Sequence, residues 1–335
     1  MGLASWAAIA SGLLTPERER FVSGTKMGAF AGLWICSGGF SPTCRIVSGR
    51  FDILMRLHVT TACKLRFARL LYRFARLFVG DEERVIERGG IRYRVDLAEG
   101  IDLSIFLFGT FQSAVIKNKL FHLPPDAVAL DVGANIGHMS LKLGKELPQG
   151  RVISFEPTHF AFRKFMSNLE LNPELKGRIT PVNSFLSSSR AASITEPVYA
   201  SWRVDGVQTG KAHSVHQGIP MGVGDVPTTC IDDYFLANPV HRLDYMKIDT
   251  DGYELSILQG SVETIGRFRP TIVFEVGAYI LKEKGIAFRQ YLELFKPLGY
   301  IVKTLDGAPV TEANWESFIP AESTVDYVAL PLGRN

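Results

Sequence analysis

The sequence contains little cysteine, and its cysteines do not have the spacing of a metal site. Only four occur in 335 residues, and no two of them form a Cys-x-x-Cys pair. This excludes a zinc ribbon and gives no sign of a disulfide framework. We therefore expect free thiols in a reducing compartment, which predicts a cytoplasmic protein. The four residues are Cys36, Cys44, Cys63 and Cys230.

The sequence also lacks an apolar run long enough to cross a bilayer. Residues 27–40 are apolar but number only 14, whereas a membrane span needs about 20. Residues 1–14 superficially resemble an export signal, yet they have no basic start and are followed at once by Pro-Glu-Arg-Glu-Arg. We expect no transmembrane segment. We also expect residues 1–60 to be poorly ordered, because Gly and Ser are frequent there and the apolar periodicity is poor.

A third absence is the glycine spacing that cradles a diphosphate. In residues 128–140 an apolar strand is followed by a turn containing Gly133 and Gly137, and then by apolar residues at helical spacing. A dinucleotide fingerprint starting at Gly133 would need glycines where Asn135 and His138 stand, and no Gly-Lys-Ser/Thr sequence follows. A nicotinamide oxidoreductase is therefore a weak interpretation.

Two carboxylates stand beside this turn. Asp131 precedes Gly133 and is placed to accept hydrogen bonds from an ammonium group. Glu156 ends the second predicted strand, at the place where a carboxylate holds ribose hydroxyls in such sheets. Without a diphosphate loop between them, these two acids predict a pocket for S-adenosyl-L-methionine. The alternative is a buried glycine turn with two solvent-facing acids.

Charge is distributed unevenly along the chain. Residues 1–80 contain 11 Lys/Arg and 3 Asp/Glu, and the remainder contains 26 and 31. The sequence Arg66-Phe-Ala-Arg-Leu70 recurs as Arg73-Phe-Ala-Arg-Leu77, which predicts a basic amphipathic helix. Residues 64–79 could contact an anionic membrane or an acidic partner. We favour the alternative, in which the apolar face packs on the domain and the arginines face water. We expect no nucleic-acid partner, because the basic residues lie away from the predicted pocket.

Punctuation along the chain predicts its organisation. Pro124-Pro125 places a boundary near residue 123. We expect a basic helix and an N-terminal cap in residues 61–123, and an S-adenosylmethionine-binding domain in residues 124–335. Pro181 demotes the third strand of that domain to a sheet edge. Residues 187–226 form a long connection that predicts a functional lid or a disordered segment.

A second constellation lies in residues 244–254. On a strand, Lys247 and Asp249 share one face, and a buried lysine there needs a paired charge, which Asp249 and Glu275 could supply. In a methyl transfer, Lys247 or Asp249 could be the base that removes the acceptor proton, or could orient the acceptor hydroxyl. Asp249, Asp251 and Glu275 could also hold a divalent cation, although a metal is the weaker interpretation. A structural ion pair that fixes the strand ends is the alternative for both residues.

Several motifs in one order carry a resemblance to a known family. Asp131-Val-Gly-Ala-Asn-Ile-Gly137, Phe155-Glu-Pro157, Thr229-Cys-Ile-Asp-Asp-Tyr234 and Lys247-Ile-Asp-Thr-Asp-Gly-Tyr-Glu254 with Phe274-Glu275 resemble the FkbM-type methyltransferases over roughly residues 86–330. The resemblance implies an α/β fold: the seven-stranded class I methyltransferase (Rossmann-like) doubly wound sheet with an antiparallel last strand. It also implies that Lys247 and Asp249 lie at the acceptor side. The residues that it implies for donor binding are Asp131, Gly133, Asn135, Gly137 and Glu156.

The resemblance has two departures that concern the acceptor. Asp251 stands where the family more often has glutamate, and Phe111-Gln112 stands where an aromatic-glutamate pair is common. We expect an S-adenosyl-L-methionine-dependent O-methyltransferase acting on a hydroxyl of a small-molecule or saccharide acceptor, such as a secondary metabolite. The alternative is a catalytically silent binding or scaffold protein that keeps the fold. Metal dependence and oligomeric state are open.

Overall fold

The computed structural model describes residues 61–80, 82–109, 112–192, 197–206, 212–215, 217–320 and 322–333. The predicted disorder of residues 1–60 lies outside this part of the chain. The helices are α1 (Thr61–Val79), α2 (Gly100–Phe108), α3 (His138–Glu146), α4 (His159–Glu170), α5 (Ile231–Ala237), α6 (Glu254–Gln259), α7 (Val262–Phe268), α8 (Ala278–Glu283) and α9 (Arg289–Phe295). The strands are β1 (Arg84–Arg88), β2 (Ile91–Val95), β3 (Val128–Val132), β4 (Arg151–Phe155), β5 (Ile179–Val182), β6 (Phe185–Leu186), β7 (Val198–Ser201), β8 (Ile219–Met221), β9 (Thr228–Thr229), β10 (Tyr245–Ile248), β11 (Thr271–Gly277), β12 (Tyr300–Thr304) and β13 (Thr324–Pro331).

Seven of these strands form the central sheet, in the order β12-β13-β11-β10-β3-β4-β5. Neighbours from β11 to β5 are parallel, and β13 runs antiparallel to both β11 and β12. The predicted fold class is therefore confirmed, including the antiparallel end of the sheet. Pro181 lies in β5 at the other edge, where a missing backbone N–H costs no ladder hydrogen bond.

Side chains alternate between two apolar layers because successive residues of a strand point to opposite faces. On one side, Leu130 of β3 and Met246 of β10 pack with α5, α6, α7 and α9. On the other, Ala129 and Tyr245 pack with α3, α4 and the N-terminal segment. The N-terminal segment thus covers one face of the sheet. The division of the described chain at residue 123 stays a prediction.

Two asparagines hold the ribbon of β1 and β2 on the domain: Asn168 in α4, and Asn172 just after that helix. Asn172 accepts a hydrogen bond from the Arg92 backbone N–H at 2.8 Å and donates to the Arg92 carbonyl at 2.7 Å. Asn168 accepts from the Arg94 backbone N–H at 2.8 Å. These side chains satisfy the outer backbone groups of β2, which would otherwise be left without ladder partners.

The predicted packing of α1 is wrong. Its buried residues are Ala68, Tyr72 and Ala75, whereas the stripe formed by the repeated phenylalanines and leucines is exposed. The small alanines let the helix come close to the domain, because the distance between packed elements depends on the side chains at the contact. The predicted exposure of the arginines is confirmed for Arg66, Arg73 and Arg76, whereas Arg69 is half-buried. No helix within the described ranges combines the length and apolar character of a membrane span.

The long connection predicted for residues 187–226 contains two short strands. β7 and β8 pair antiparallel as a ribbon, and β6 pairs with β9. Ala200, Ser201 and Trp202 are buried, so this ribbon packs on the domain at the edge of the cleft described below. That this connection acts as a lid stays a prediction.

The packing of α6 generates a test of the layer on the α6 side. Leu258 is fully buried in the apolar cluster of that layer. We expect Leu258→Ala to lower the free energy of unfolding by about 2–5 kcal/mol, because the apolar contact is lost and a cavity remains. Urea unfolding followed by circular dichroism measures the change.

The matched control is Leu236→Ala, because Leu236 also lies on a helix but is 82% exposed. We expect this control to change the free energy of unfolding by less than about 0.5 kcal/mol. Equal losses in the two variants would contradict the described packing.

Candidate donor and acceptor site

The site lies where the strand order of the sheet reverses, between β3 and β10. Both strands are parallel and end at the same edge, and the chain leaves them in opposite directions across the sheet. Such a switch point leaves a crevice beyond the carboxyl ends of the strands. The turn after β3, the end of β4 and the turn after β10 line this crevice.

The turn after β3 is built around two glycines in the left-handed region. Gly133 has φ 78° and Gly137 has φ 80°. A Cβ on Gly133 would overlap the backbone carbonyl of Asp249, and one on Gly137 would overlap the ring of Phe165. Both positions therefore require glycine for the close approach of β10 and α4, as well as for backbone conformation.

Asn135 occupies the tip of this turn, also with a positive φ of 50°. Its backbone N–H donates to the Glu156 carboxylate at 2.9 Å, and its side-chain amide donates to the Ala200 carbonyl at 3.4 Å. Asparagine tolerates this conformation better than most residues. Asn135 thus connects the turn with the carboxyl end of β4 and with the β7–β8 ribbon.

Glu156 is buried and held from three sides. Besides the Asn135 bond, its other carboxylate oxygen accepts from the Thr158 backbone N–H at 2.9 Å and from the Thr158 hydroxyl at 2.5 Å. Burial raises the pKa of Glu156, although the hydrogen bonds from Thr158 and Asn135 oppose the rise. The carboxyl group is therefore fixed in direction at the wall of the crevice.

Lys247 forms a buried ion-pair cluster with two aspartates. Its ammonium lies 3.5 Å from Asp131 Oδ1 and 3.3 Å from Asp249 Oδ2, and its side chain is 1% exposed. Lys247 and Asp131 are neighbours across the β10–β3 ladder. The Ser140 hydroxyl donates to Asp131 at 2.5 Å, and Gln112 Nε2 donates to Asp249 at 3.2 Å.

The charges in this cluster fix its protonation. Burial disfavours the ammonium, but the Asp249 and Asp131 carboxylates outweigh it and raise the pKa of Lys247. Burial also acts to raise the pKa of Asp249, yet the Lys247 charge, with hydrogen bonds from Gln112 and Glu275, lowers it below its usual value. Lys247 is therefore an ammonium and Asp249 a carboxylate near neutral pH.

Glu275 occupies a different place from the one the sequence suggested. The second carboxylate within ion-pair distance of Lys247 is Asp131, while Glu275 accepts a hydrogen bond from the Thr324 hydroxyl at 2.6 Å. Burial raises the pKa of Glu275 well above its usual value, and the negative charge of Asp249 adds to the rise. A protonated Glu275 can donate to Asp249, and this hydrogen bond is among the causes that lower the pKa of Asp249.

The crevice at the switch point encloses about 500 Å³, counting the part open to solvent. Its walls combine apolar side chains with Glu156 and Asp249, and they include Gly133, Asn135, Phe155, Leu186, Tyr199, Trp202, Tyr253 and Ile257. Of the predicted site residues, the crevice is lined by Gly133, Asn135, Glu156 and Asp249, while Asp131, Gly137 and Lys247 lie behind it.

Sequence reasoning missed the contacts that hold the β7–β8 ribbon over this crevice. Buried Glu99 accepts hydrogen bonds from the Ser201 hydroxyl at 2.8 and 3.0 Å and from the Trp202 backbone N–H at 3.1 Å. Glu99 lies within residues 86–330, over which the family resemblance extends, and no other signal in the sequence indicates it. Nothing in the local pattern indicated Ser201 as its partner.

The sequence also left open whether the protein binds a metal ion. Across the described ranges, no group of three or more His, Cys, Asp or Glu side chains is arranged to hold a metal ion. The acidic residues Asp249 and Glu275 instead share hydrogen bonds with Gln112 and Thr324.

The ion-pair cluster generates a prediction about stability and pH. Lys247→Met leaves Asp131 and Asp249 buried without their cation. The loss of the ammonium raises the pKa of Asp249 in the folded state above the unfolded value of about 3.9. A carboxyl group whose pKa is raised by folding favours the folded state at pH values below its unfolded pKa. It destabilises the folded state as the pH rises toward its folded pKa. We expect a loss of about 3–5 kcal/mol in the free energy of unfolding near neutral pH, and a smaller loss near about pH 5.

Urea unfolding of both proteins at the two pH values measures this difference. The double variant Lys247→Met/Asp249→Asn removes one of the two stranded charges, so it should recover part of the loss. If Lys247→Met is equally destabilised at both pH values and the double variant recovers nothing, packing rather than charge explains the role of Lys247.

The chain resembles known methyltransferases in sequence. The profile described as "Methyltransferase FkbM domain" matches residues 131–302, just over half of the chain. The chain is similar to the methyltransferase sdnD of Sordaria araneosa, with 24% identity over 194 residues, covering 49% of this chain and 75% of sdnD. It is also similar to the hexuronic acid methyltransferase AglP of Haloferax volcanii, with 27% identity over 152 residues, covering 45% of this chain and 56% of AglP.

A short segment is similar to the AMB antimetabolite synthetase AmbE of Pseudomonas aeruginosa, with 53% identity over 47 residues. This covers 14% of the chain and 2% of AmbE, so the chain spans less than two thirds of AmbE and of AglP. Among solved structures, methyltransferase FkbM from Methylobacillus flagellatus KT matches with a TM-score of 0.42 and 17% identity, covering 63% of this chain and 45% of that one. On the match of the family profile, the chain belongs to the FkbM methyltransferase family.

Proposed function

We propose that this protein transfers a methyl group from S-adenosyl-L-methionine to a hydroxyl oxygen of a saccharide or secondary-metabolite acceptor. The observation that carries the proposal is the buried Glu156 carboxyl, fixed by Asn135 and Thr158 at the wall of the switch-point crevice. A carboxyl at this place is suited to ribose hydroxyls, and the turn beside it has no diphosphate cradle. Family membership supports the same chemistry.

The donor would lie along the turn after β3. Gly133 and Asn135 present backbone to the crevice, while Phe155, Leu186 and Ile257 offer apolar walls to a purine ring. Gly137 shapes the turn from behind. Tyr199 and Trp202 also line the crevice, where their rings would stack on the nucleoside when it enters. Asp131 is fully buried behind the crevice, so its part in donor binding would be the attraction of its charge for the cationic donor.

The protonation of the cluster separates the roles of Lys247 and Asp249. The Lys247 ammonium has no free electron pair, so it cannot take a proton and instead fixes Asp249. The Asp249 carboxylate lines the crevice and can accept a hydrogen bond from an acceptor hydroxyl. In the transfer the hydroxyl oxygen bonds to the methyl carbon, the carbon–sulfur bond breaks with its electron pair going to sulfur, and the hydroxyl proton passes toward Asp249.

The acceptor would occupy a neighbouring cavity of about 960 Å³, counting the part open to solvent. Gln112 lines this cavity and donates to Asp249, so the two spaces adjoin at the proposed reacting groups. Other lining residues are Glu275, Asp306, Thr324 and Asp326, and no Lys or Arg occurs among the described lining residues. An acceptor carboxylate would find no cationic partner here, which favours a neutral or cationic polyhydroxylated acceptor.

Donor binding is the first test. We expect calorimetric titration to show binding of S-adenosyl-L-methionine and S-adenosylhomocysteine to the wild type. Glu156→Gln should weaken both at least about tenfold, because a hydrogen bond to a charged acceptor is lost. The control Glu170→Gln changes an exposed glutamate of α4 and should leave both affinities unchanged. A folded wild type that binds neither compound would refute the proposal.

The acceptor role of Asp249 gives a second test. We expect Asp249→Asn to keep donor affinity and to lower the methyl-transfer rate by about a hundredfold or more, the size of a lost proton acceptor. The assay follows labelled methyl groups into hydroxylated acceptors, with neutral sugars compared with the matching uronates. The control Asp225→Asn changes an exposed aspartate and should transfer at the wild-type rate.

Two outcomes would count against this assignment. Equal transfer rates in wild type and Asp249→Asn would remove Asp249 from the acceptor side. Donor binding by the wild type without transfer to any acceptor would favour the catalytically silent scaffold instead.

A further inference from the structure

The outward face of α1 carries a continuous apolar stripe. Its side chains are the most concentrated group of exposed large hydrophobics in the described chain, since the others are scattered over six separate positions. The stripe consists of Phe67, 49% exposed, Leu70, 62%, Phe74, 62%, Leu77, 81%, and Phe78, 55%. A contiguous apolar patch of this kind marks an interaction site, whereas single exposed apolar residues need no explanation.

The helix has three faces, each roughly a third of its circumference at about 100° per residue. Ala68, Tyr72 and Ala75 form the face that packs on the domain. The apolar stripe and an arginine stripe form the other two, and both point away from the domain. The arginine stripe consists of Arg66, Arg69, Arg73 and Arg76, of which all but the half-buried Arg69 are exposed.

Charge complementarity identifies the surface that this helix fits. The sequence of α1 contains one lysine, four arginines and no acidic residue. A helix with an apolar stripe of Phe and Leu beside a stripe of Arg lies in the plane of an anionic bilayer surface, with the apolar side chains at the acyl boundary and the guanidinium groups at the phosphates. The apolar stripe is too narrow for a span, in agreement with the absence of a spanning helix from the described ranges.

We propose that α1 is a docking surface for an anionic lipid bilayer, and that it binds while its third face stays packed on the domain. The domain would then lie directly against the membrane, and α1 would not separate from it, because Tyr72 and the two alanines remain in the apolar cluster. The partner is the lipid surface itself, held jointly by burial of the stripe and by attraction of the arginines to lipid phosphates. This inference does not depend on the proposed methyl transfer.

The test is flotation of the full chain with vesicles of phosphatidylcholine, with and without phosphatidylglycerol. We expect the protein to float with the phosphatidylglycerol vesicles only, and to be released at high salt, because the arginine contribution is screened. Leu70→Ser/Phe74→Ser should lower the partition coefficient at least about tenfold, since two apolar side chains no longer enter the bilayer. Because both residues are exposed, the fold should not change, as checked by circular dichroism.

Leu236→Ser is the matched control. It removes a leucine that, of those in the described ranges outside α1, is the most exposed, and it should bind vesicles as the wild type does. Arg66→Gln/Arg73→Gln should weaken binding to phosphatidylglycerol vesicles and lessen its salt dependence. Full binding by Leu70→Ser/Phe74→Ser, or no flotation of the folded wild type, overturns the proposal. If sedimentation instead shows a wild-type dimer that the double variant loses, while vesicles are not bound, the stripe belongs to a contact between two copies.

Discussion

The buried ammonium of Lys247, placed between Asp131 and Asp249, is the interaction on which the centre of this structure depends. It joins the carboxyl ends of two adjacent strands that are more than a hundred residues apart in sequence. Burying three charges is costly unless each is paired, so the cluster tolerates little change in the positions of β3 and β10. Gly133 adds to this constraint, because the turn leaving β3 touches the backbone of Asp249 directly. The reacting edge of the proposed site is therefore held by electrostatics on one strand face and by close backbone packing above it.

The walls of the crevice are formed by segments that are far apart in sequence. Glu99, just ahead of α2, fastens Ser201 and Trp202 of the β7–β8 ribbon, and Asn135 reaches the same ribbon from the glycine turn. The position of Trp202 over the crevice thus depends on hydrogen bonds to two distant parts of the chain. A change in the N-terminal segment would alter the crevice without touching any residue that lines it.

The sequence allowed the sheet and the glycine turn to be predicted because their signals are local. Apolar runs mark β3 and β4, Pro181 marks an edge, and the alternation around Lys247 places its charge on one face. Contacts between distant segments leave no such signal. This is why the sequence does not indicate the Glu99–Ser201 pair, and why it suggests Glu275 beside Asp249 as a partner of Lys247 where the structure has Asp131. The prediction of how α1 packs was wrong for a related reason. Periodicity shows that a helix has an apolar face, but only tertiary packing decides which face is buried.

Asn168 of α4 and Asn172, just after that helix, have a consequence for the behaviour of the chain in crowded solution. The outer edge of β2 would otherwise present unpaired N–H and carbonyl groups, which act as a template for strands of other molecules. Asn172 accepts from and donates to Arg92, and Asn168 accepts from Arg94, so a foreign strand finds these hydrogen-bonding positions already taken. The two asparagines thereby protect a two-stranded ribbon against edge-to-edge aggregation, a protection that hydrophobic packing alone does not provide.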